Sequence, residues 1–172
     1  MPSDAKPLRL FLAIWPDEPL RDAIAAWQRD WTWPPRAGLV KRERLHLTLH
    51  FLGDVAGDRL PGLVRRLSFA FEPFELALSH AQVWPVGVAV LEAESVPPPL
   101  SLLHEALRRE LVALELPVEE RRYRPHVTLA RRAYGAKPPP RELALRWEAR
   151  SGYVLVRSLP GGAGYEILQR FL

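Results

Sequence analysis

Apolar residues along this chain fall into short runs typical of strands and longer stretches with helical spacing. Strands are predicted where apolar residues are continuous or alternate with polar ones. Several of these strands follow one another without an intervening helix, which favours an α+β fold with antiparallel sheet over a doubly wound parallel fold. The predicted strands cover 8–14, 45–52, 74–83, 86–92, 123–131, 142–150, 153–157 and 165–171.

Three helices are predicted from apolar residues spaced three and four positions apart. The first begins at Asp17, a residue type that caps helix N-termini, and ends before Pro34. The second begins after Asp58 with Pro61 in its first turn, and the third follows the prolines at 97–99. We interpret the apolar stripes as core; their residues are Leu20, Ile24, Trp27 and Trp31, then Leu60, Leu63, Val64 and Leu67, then Leu100, Leu103, Leu107, Leu111 and Leu114.

Length and composition indicate one domain with a substantial core, because the chain has 172 residues of which 48% are hydrophobic. The absence of cysteine excludes disulfides, thiolate nucleophiles and cysteine zinc sites. The first residues lack a signal-peptide pattern, and the apolar run 8–15 is too short to span a membrane, so we expect a cytoplasmic protein. The charge of +4 comes almost entirely from arginine, which suits phosphate partners, although GC-rich codon usage accounts for the same bias.

An internal repeat is the most informative feature of the sequence. The pattern R-x-R-x-H-x-T-L occurs at 42–49 and again at 122–129, each time after an amphipathic helix. Two lobes of similar design that face each other about a pseudo-twofold axis would explain the repeat. We therefore predict a single bilobal domain over 1–172 with one His-x-Thr-x motif per lobe, at 46–49 and 126–129.

The two motifs place a histidine and a threonine on the same face of each strand. Apolar and polar residues alternate around His46 and Thr48, so their side chains share a face about 7 Å apart, and the same holds for His126 and Thr128. Two imidazoles can act as base and acid in one reaction cycle. One such motif is usually structural, but core packing has no need to repeat a polar pair, so we favour a catalytic interpretation.

The other histidines and Phe11 have weaker alternatives. His46 and His50 have the spacing of a helical zinc site, but the segment alternates as a strand and offers no third ligand, so no metal is expected. His50 remains a candidate auxiliary group at the rim of the cavity. Phe11 is interpreted as core, with stacking on a base as the alternative. His80 and His104 are interpreted as structural or surface residues.

At these residues the sequence resembles the two-histidine phosphoesterase superfamily, and more narrowly the bacterial RNA 2',3'-cyclic phosphodiesterases, also called 2'-5' RNA ligases. The resemblance covers essentially the whole chain. It is carried by 9–14, by His-Leu-Thr-Leu-His-Phe-Leu-Gly at 46–53, by Arg-Pro-His-Val-Thr-Leu-Ala-Arg at 124–131 and by 164–172. It implies a bilobal α+β fold, with two pseudo-symmetric antiparallel sheets and outer helices around a central groove.

The resemblance also implies an activity and the residues that perform it. The expected reaction is hydrolysis of RNA 2',3'-cyclic phosphate ends to 2'-phosphates, without metal or cofactor, with His46 and His126 as the acid/base pair. The resemblance assigns Thr48, Thr128 and Arg131 to phosphate binding. Strict alternation would put Arg131 on the face opposite His126, so it reaches the groove only if the strand ends or bulges at Ala130.

Several alternatives stay open at this point. The substrate could instead be a small cyclic nucleotide or a 2',5'-linked oligonucleotide, or the chain could be a non-catalytic RNA-binding module. Which histidine is the base is undecided; in reverse, the same groups would join RNA ends by 2'-5' ligation. The expected partner is RNA with 2',3'-cyclic phosphate ends, with no membrane and no obligate protein partner, and we expect a monomer.

Overall fold

The computed structural model describes residues 6–141 and 143–172. The start of the chain, expected to carry no signal peptide, and Glu142, the first residue of one predicted strand, lie outside the described residues. The described residues form nine strands and three α-helices, and every strand pairing is antiparallel, which confirms the predicted α+β class. No helix among them is long and apolar enough to cross a membrane.

The elements follow the chain in an order close to the one predicted. The helices are α1 (Glu18–Arg29), α2 (Leu60–Arg66) and α3 (Pro98–Ala113). Asp17 caps α1 as predicted, since its carboxylate accepts a hydrogen bond from the Leu20 amide at 3.0 Å. The strands are β1 (Pro7–Ile14), β2 (Gly38–Leu39), β3 (Leu47–Ala56), β4 (Phe74–Val83), β5 (Ala89–Ala93), β6 (His126–Arg131), β7 (Leu145–Ala149), β8 (Tyr153–Ser158) and β9 (Tyr165–Phe171).

The strands form one sheet made of two four-stranded halves. The first half has the order β3-β1-β8-β9 and the second half the order β6-β5-β4-β7, with β2 added beside β6. In each half the motif strand is the inner edge, and the two edges pair through Leu47 and Val127. The units β1-α1-β3 and β5-α3-β6 correspond to each other, so the sequence repeat is also a repeat of topology.

The hydrophobic core lies between one face of the sheet and the helices. The apolar motif residues Leu45, Leu47, Val127 and Leu129 belong to this core, together with the buried leucines of α3. Alternation therefore turns the histidines and threonines of both motifs to the other face. We call that side of the sheet the motif face.

Several predicted strand boundaries differ from the structure. The strands predicted to begin at 45, 123 and 142 begin at Leu47, His126 and Leu145. Two further boundaries differ for local reasons. The strand predicted to begin at Val86 begins at Ala89, because Pro85 to Gly87 form a turn in which the Gly87 amide donates to the Trp84 carbonyl at 2.8 Å. Gly87 has a φ of 78°, which favours glycine. The strand predicted to close at Gly53 runs on to Ala56, because Gly53 takes part in a bulge rather than a turn.

Candidate active site

The two motifs lie side by side where the halves of the sheet meet. Leu47 pairs with Val127 across the junction, which places both histidines on the motif face beside the same seam. Burial lowers the pKa of His46 most, and the positive charges of His126 and Arg131 lower it further, so both groups lie within electrostatic reach of His46. The sequence prediction that the two motif histidines converge is thus matched by the geometry.

His46 is oriented by residues two positions before and after it. Its Nδ1–H donates to the Arg44 carbonyl at 2.6 Å, which leaves Nε2 as the acceptor that receives the Thr48 hydroxyl proton at 3.1 Å. Burial lowers the pKa of His46 to about 4, although the hydrogen bond to the Arg44 carbonyl opposes the shift. At neutral pH this imidazole is therefore uncharged. Its Nε2 carries a free electron pair and lies on the motif face.

Aromatic rings surround His46. Trp15 stacks on the imidazole with ring centroids 4.7 Å apart and planes 18° from parallel. Phe11 lies 5.0 Å away and Tyr165 meets the imidazole edge-on at 5.5 Å. Trp15 is itself held by a hydrogen bond from its Nε1–H to the Glu43 carbonyl at 3.1 Å. These rings exclude water from three sides, which is the physical reason for the lowered pKa.

His126 has the same backbone anchor but a charged environment. Its Nδ1–H donates to the Arg124 carbonyl at 2.7 Å. The Arg124 guanidinium forms two hydrogen bonds to the Glu92 carboxylate, at 2.6 and 2.9 Å, and lies 4.9 Å from the centre of the Trp84 ring. Trp84 in turn packs edge-on against His126 at 4.5 Å. Glu92, Arg124 and Trp84 therefore form a closed set of contacts behind the imidazole.

The charges near His126 oppose one another. Burial lowers its pKa, and the Arg124 and Arg131 cations add to that effect, whereas the Arg124 carbonyl and the Glu92 carboxylate raise it. Burial raises the pKa of Glu92, but hydrogen bonds from Arg124 and Gln82 outweigh burial and hold that pKa below its usual value. Glu92 is therefore ionised at neutral pH and favours the protonated form of His126.

A β-bulge brings Arg131 to the motif face. On the partner strand β5, Val90 pairs with Thr128 and the adjacent Ala89 pairs with Ala130, so Leu129 is an extra residue in β6. Leu129 and Ala130 are both fully buried, and Arg131 returns to the side of Thr128. From the sequence, Arg131 reaches the groove only if the strand ends or bulges, and the structure has this bulge. The Arg131 cation lowers the pKa of both motif histidines, in addition to the effect of burial.

The equivalent bulge in β3 corrects the expectation for His50. Leu12 pairs with His50 and Ala13 with Thr48, so Leu49 is the extra residue and His50 turns toward the helices. His50 is 4% exposed, stacks on His104 of α3 at 4.0 Å, and bonds to the His104 carbonyl through Nε2 at 2.9 Å. His50 is thus a core residue and does not line the cavity. The expected strict alternation fails at the bulge.

A polar side chain from a helix lies at each bulge. Gln28 of α1 is 5% exposed and donates to the Leu129 carbonyl at 2.7 Å. Burial lowers the pKa of His104 of α3, and the Leu49 carbonyl, the equivalent acceptor in β3, opposes that shift. Bulges disrupt the regular ladder, and Gln28 satisfies the carbonyl that the β6 bulge leaves. His104 therefore has a structural role, as the sequence interpretation held.

The structure also settles where Phe11 lies and adds residues that the sequence did not single out. Phe11 is 3% exposed beneath His46 and Tyr165, so it is a core residue of the motif face. Trp15 could have been found, because it continues the alternation of Phe11 and Ala13 on β1. Trp84, in the connection between β4 and β5, and Glu92, in β5, are distant from His126 in sequence, and no local pattern connects them to it.

No group of three or more His, Asp or Glu side chains able to hold a metal ion is found within 6–141 and 143–172. His46 and His50, the one zinc alternative considered from the sequence, point to opposite faces of the sheet. That alternative is therefore wrong on geometry.

Comparison with known proteins identifies relatives of this chain. A family model described as the 2'-5' RNA ligase superfamily matches residues 16–152. RNA 2',3'-cyclic phosphodiesterases of Thermus thermophilus and Escherichia coli are 34% and 35% identical, over 95% and 79% of this chain and 89% and 80% of their own lengths. Escherichia coli LigT complexed with 3'-AMP has a TM-score of 0.81 at 29% identity, covering 96% of this chain and 98% of that chain. Residues 16–152, which the family model matches, contain both His-x-Thr-x motifs.

Proposed function

Because this chain belongs to the 2'-5' RNA ligase superfamily, we propose that it hydrolyses the 2',3'-cyclic phosphate ends of RNA to 2'-phosphates. The observation that carries the proposal is the convergence of two identically anchored imidazoles, His46 and His126, at one seam of the sheet. Relatives over most of the chain are named RNA 2',3'-cyclic phosphodiesterases. In-line displacement at phosphorus needs one proton acceptor and one proton donor on opposite sides of the phosphorus atom.

His46 is proposed as the general base. With Nδ1–H bound to the Arg44 carbonyl and a pKa of about 4, the ring is neutral at working pH and its Nε2 can accept a proton. In the reaction, a water molecule takes the place of the Thr48 hydroxyl at Nε2, loses its proton to His46 and forms the new oxygen–phosphorus bond.

His126 is proposed as the general acid. Glu92 supports its protonated form, and a bound phosphate anion adds to that support. Its Nε2–H donates the proton to the departing O3' oxygen as the O3'–phosphorus bond breaks. The products are a free 3'-hydroxyl and a 2'-phosphate. Reversal of this hydrolysis would re-form the cyclic phosphate and release water, so 2'-5' ligation is not its reverse. Ligation follows instead when an RNA 5'-hydroxyl takes the place of water as the nucleophile, with His46 and His126 in the same roles and O3' again leaving.

Thr48, Thr128 and Arg131 are proposed to bind the non-bridging phosphate oxygens. Both hydroxyls lie on the motif face next to the imidazoles, and Arg131 reaches the same side through the β6 bulge. A cation and hydroxyl donors that are fixed before the reaction stabilise the charge that develops on those oxygens.

The proposal is tested with purified protein and a short RNA that ends in a 2',3'-cyclic phosphate. Turnover to a 2'-phosphate is expected, and it should be unchanged after dialysis against EDTA, since none of the proposed steps uses a metal ion. A nuclease that distinguishes 2'- from 3'-phosphates identifies the product. A predominant 3'-phosphate would overturn the assigned leaving oxygen, and loss of turnover on chelation with recovery on added zinc or manganese would overturn the metal-free mechanism.

The same assay separates the alternative substrates. A small 2',3'-cyclic nucleotide and a 2',5'-linked oligonucleotide are compared with the RNA at equal concentration, and the highest kcat/KM is expected for the RNA. If the protein binds RNA without converting any of the three, it is a binding module and the proposed hydrolysis is wrong.

A further inference from the structure

The motif face of the first half of the sheet carries an aromatic surface, whereas the three described helices pack on the other face. The floor of this surface is the Phe11 ring, which is 3% exposed. Phe51 pairs with Phe11 across β1 and β3, with ring centroids 6.0 Å apart and planes 44° from parallel. Tyr165 meets Phe11 nearly edge-on at 5.0 Å. Phe51 is 62% exposed, so its ring projects into solvent from a buried aromatic base.

The β3 bulge is the reason that Phe51 faces outward. Strict alternation from His46 and Thr48 would put His50 on the motif face and Phe51 in the core. With Leu49 as the extra residue, His50 is instead 4% exposed on the helix side and Phe51 emerges on the motif face. This is the reverse of what hydrophobic burial favours, since an imidazole occupies the core while a phenyl ring is left in water. A local arrangement that opposes burial is expected where the exposed side chain serves a ligand.

Phe51 lies on the side of the seam where the leaving oxygen is proposed to depart. The antiparallel pairing of Leu47 with Val127 places Thr48 opposite His126. Phe51 follows Thr48 on the motif face, and three residues span about 10 Å at most. In the proposed reaction His126 protonates O3', so the ribose that carries O3' lies on this side of the phosphorus. The base on that ribose can therefore reach the Phe51 ring.

We infer that Phe51 stacks on the nucleobase of the nucleotide that carries the cyclic phosphate. The inference rests on the proposed function, because it takes the same ribose and phosphate to lie between the same two histidines. A phenyl ring offers a flat apolar face and no hydrogen-bonding group, so it holds the base without reading its edge. Purine and pyrimidine ends should therefore both be accepted, and a purine should bind more tightly because its stacked area is larger.

The direct test compares two RNAs that differ only at the last nucleotide. Both end in a ribose 2',3'-cyclic phosphate, but one ribose carries adenine and the other carries hydrogen in place of a base. For the adenine-bearing RNA, Phe51→Ala should raise KM about tenfold and change kcat by less than about twofold, because stacking acts on binding and not on the proton transfers. For the abasic RNA, Phe51→Ala should have the KM of wild type. Phe51→Trp keeps a stacking ring and should retain the wild-type KM for the adenine-bearing RNA.

Leu102→Ala is the matched control for loss of an exposed apolar side chain. Leu102 is 69% exposed on α3, on the helix side of the sheet, so both KM values should stay at the wild-type level. An equal rise in KM for the two RNAs in Phe51→Ala would overturn the inference, since Phe51 would then act through Phe11 and His46 rather than through a base. An unchanged KM for the adenine-bearing RNA would overturn it as well.

A binding measurement distinguishes failure of this inference from failure of the proposed function. In calorimetry, Phe51→Ala should weaken the binding of adenosine 2'-phosphate about tenfold and leave the binding of inorganic phosphate unchanged. If wild type converts neither RNA, the proposed hydrolysis is wrong, and the same titrations still decide whether Phe51 holds a base. Equal affinities of wild type and Phe51→Ala for adenosine 2'-phosphate would show that it does not.

Discussion

The two halves of the sheet carry the same motif in unlike surroundings. His46 sits among Trp15, Phe11 and Tyr165, and burial lowers its pKa to about 4. His126 has a tryptophan on one side and the Glu92–Arg124 ion pair behind it, with the carboxylate raising its pKa against the effect of burial. The repeat thus fixes where the two imidazoles lie, whereas the neighbouring strands determine which one carries a proton more readily.

The same contrast recurs three positions after each motif threonine. Both motif strands bulge after the threonine, so the residue that follows the bulge returns to the motif face. In β6 that residue is Arg131, and in β3 it is Phe51, which is 62% exposed. The symmetric backbone therefore presents a cation on one side of the seam and an aromatic ring on the other. This difference is expected if His46 and His126 have different roles in the reaction.

The largest expected effect comes from removal of either imidazole. His46→Ala and His126→Ala should each lower kcat on RNA 2',3'-cyclic phosphate by about 10² to 10⁴. The melting temperature and the circular dichroism spectrum are measured alongside, because each ring also packs against aromatic neighbours. A folded variant that keeps more than about a tenth of wild-type kcat would remove that histidine from the mechanism.

Removal of the Arg131 guanidinium should have the next largest effect. Arg131→Gln is expected to lower kcat by about 10², because a fixed donor to the non-bridging oxygens is lost. The neighbouring Arg132→Gln serves as the control, since the Arg132 side chain donates to the Arg36 carbonyl at 3.2 Å and has no place in the proposed mechanism. Equal kinetics in the two variants would show that the β6 bulge does not deliver a phosphate ligand.

Glu92→Gln tests whether the Glu92 carboxylate causes the difference in pKa between the two histidines. Loss of the carboxylate lowers the pKa of His126, so the protonated fraction at neutral pH falls and the alkaline limb of the kcat/KM profile moves to lower pH. The acid limb, assigned to His46, should stay in place. Glu110→Gln, which removes a 2.7 Å ion pair with Arg66 away from the seam, is the matched control. A profile unchanged by Glu92→Gln would contradict the proposed role of the carboxylate.

The smallest effect concerns stability in acid. Burial, followed by the charges of His50 and Arg108, lowers the pKa of His104 to about 3. The unfolded chain binds this proton near pH 6.5 and the folded chain only near pH 3, so stability falls as pH decreases between those values. His104→Phe keeps a ring against His50 and Tyr123 and should make that fall shallower in urea unfolding measured from pH 7 to pH 4. An equally steep fall would show that His104 titrates normally in the folded protein.

Hydrophobic spacing predicted the helices, the α+β class and the motif strands, because burial of one face imposes those periods on the sequence. It could not predict the bulges that turn His50 to the core and Arg131 to the motif face. A bulge depends on which residues of the partner strand pair with it and on helix side chains such as Gln28 that satisfy its carbonyl. The Glu92–Arg124 pair could not be predicted for the same reason. It joins β5 to the segment just before β6, and only the pairing of Glu92 with His126 brings these two parts of the chain together.

The assignment of His46 as base and His126 as acid is tested most directly with an RNA whose cyclic end has sulfur in place of O3'. A thiolate leaves without help from an acid, because a thiol has a pKa near 8.5, far below that of a ribose hydroxyl. The account predicts that this substrate restores most of the lost kcat to His126→Ala and none to His46→Ala. Restoration in His46→Ala alone would reverse the two roles, and restoration in neither variant would contradict protonation of the O3' oxygen by a histidine.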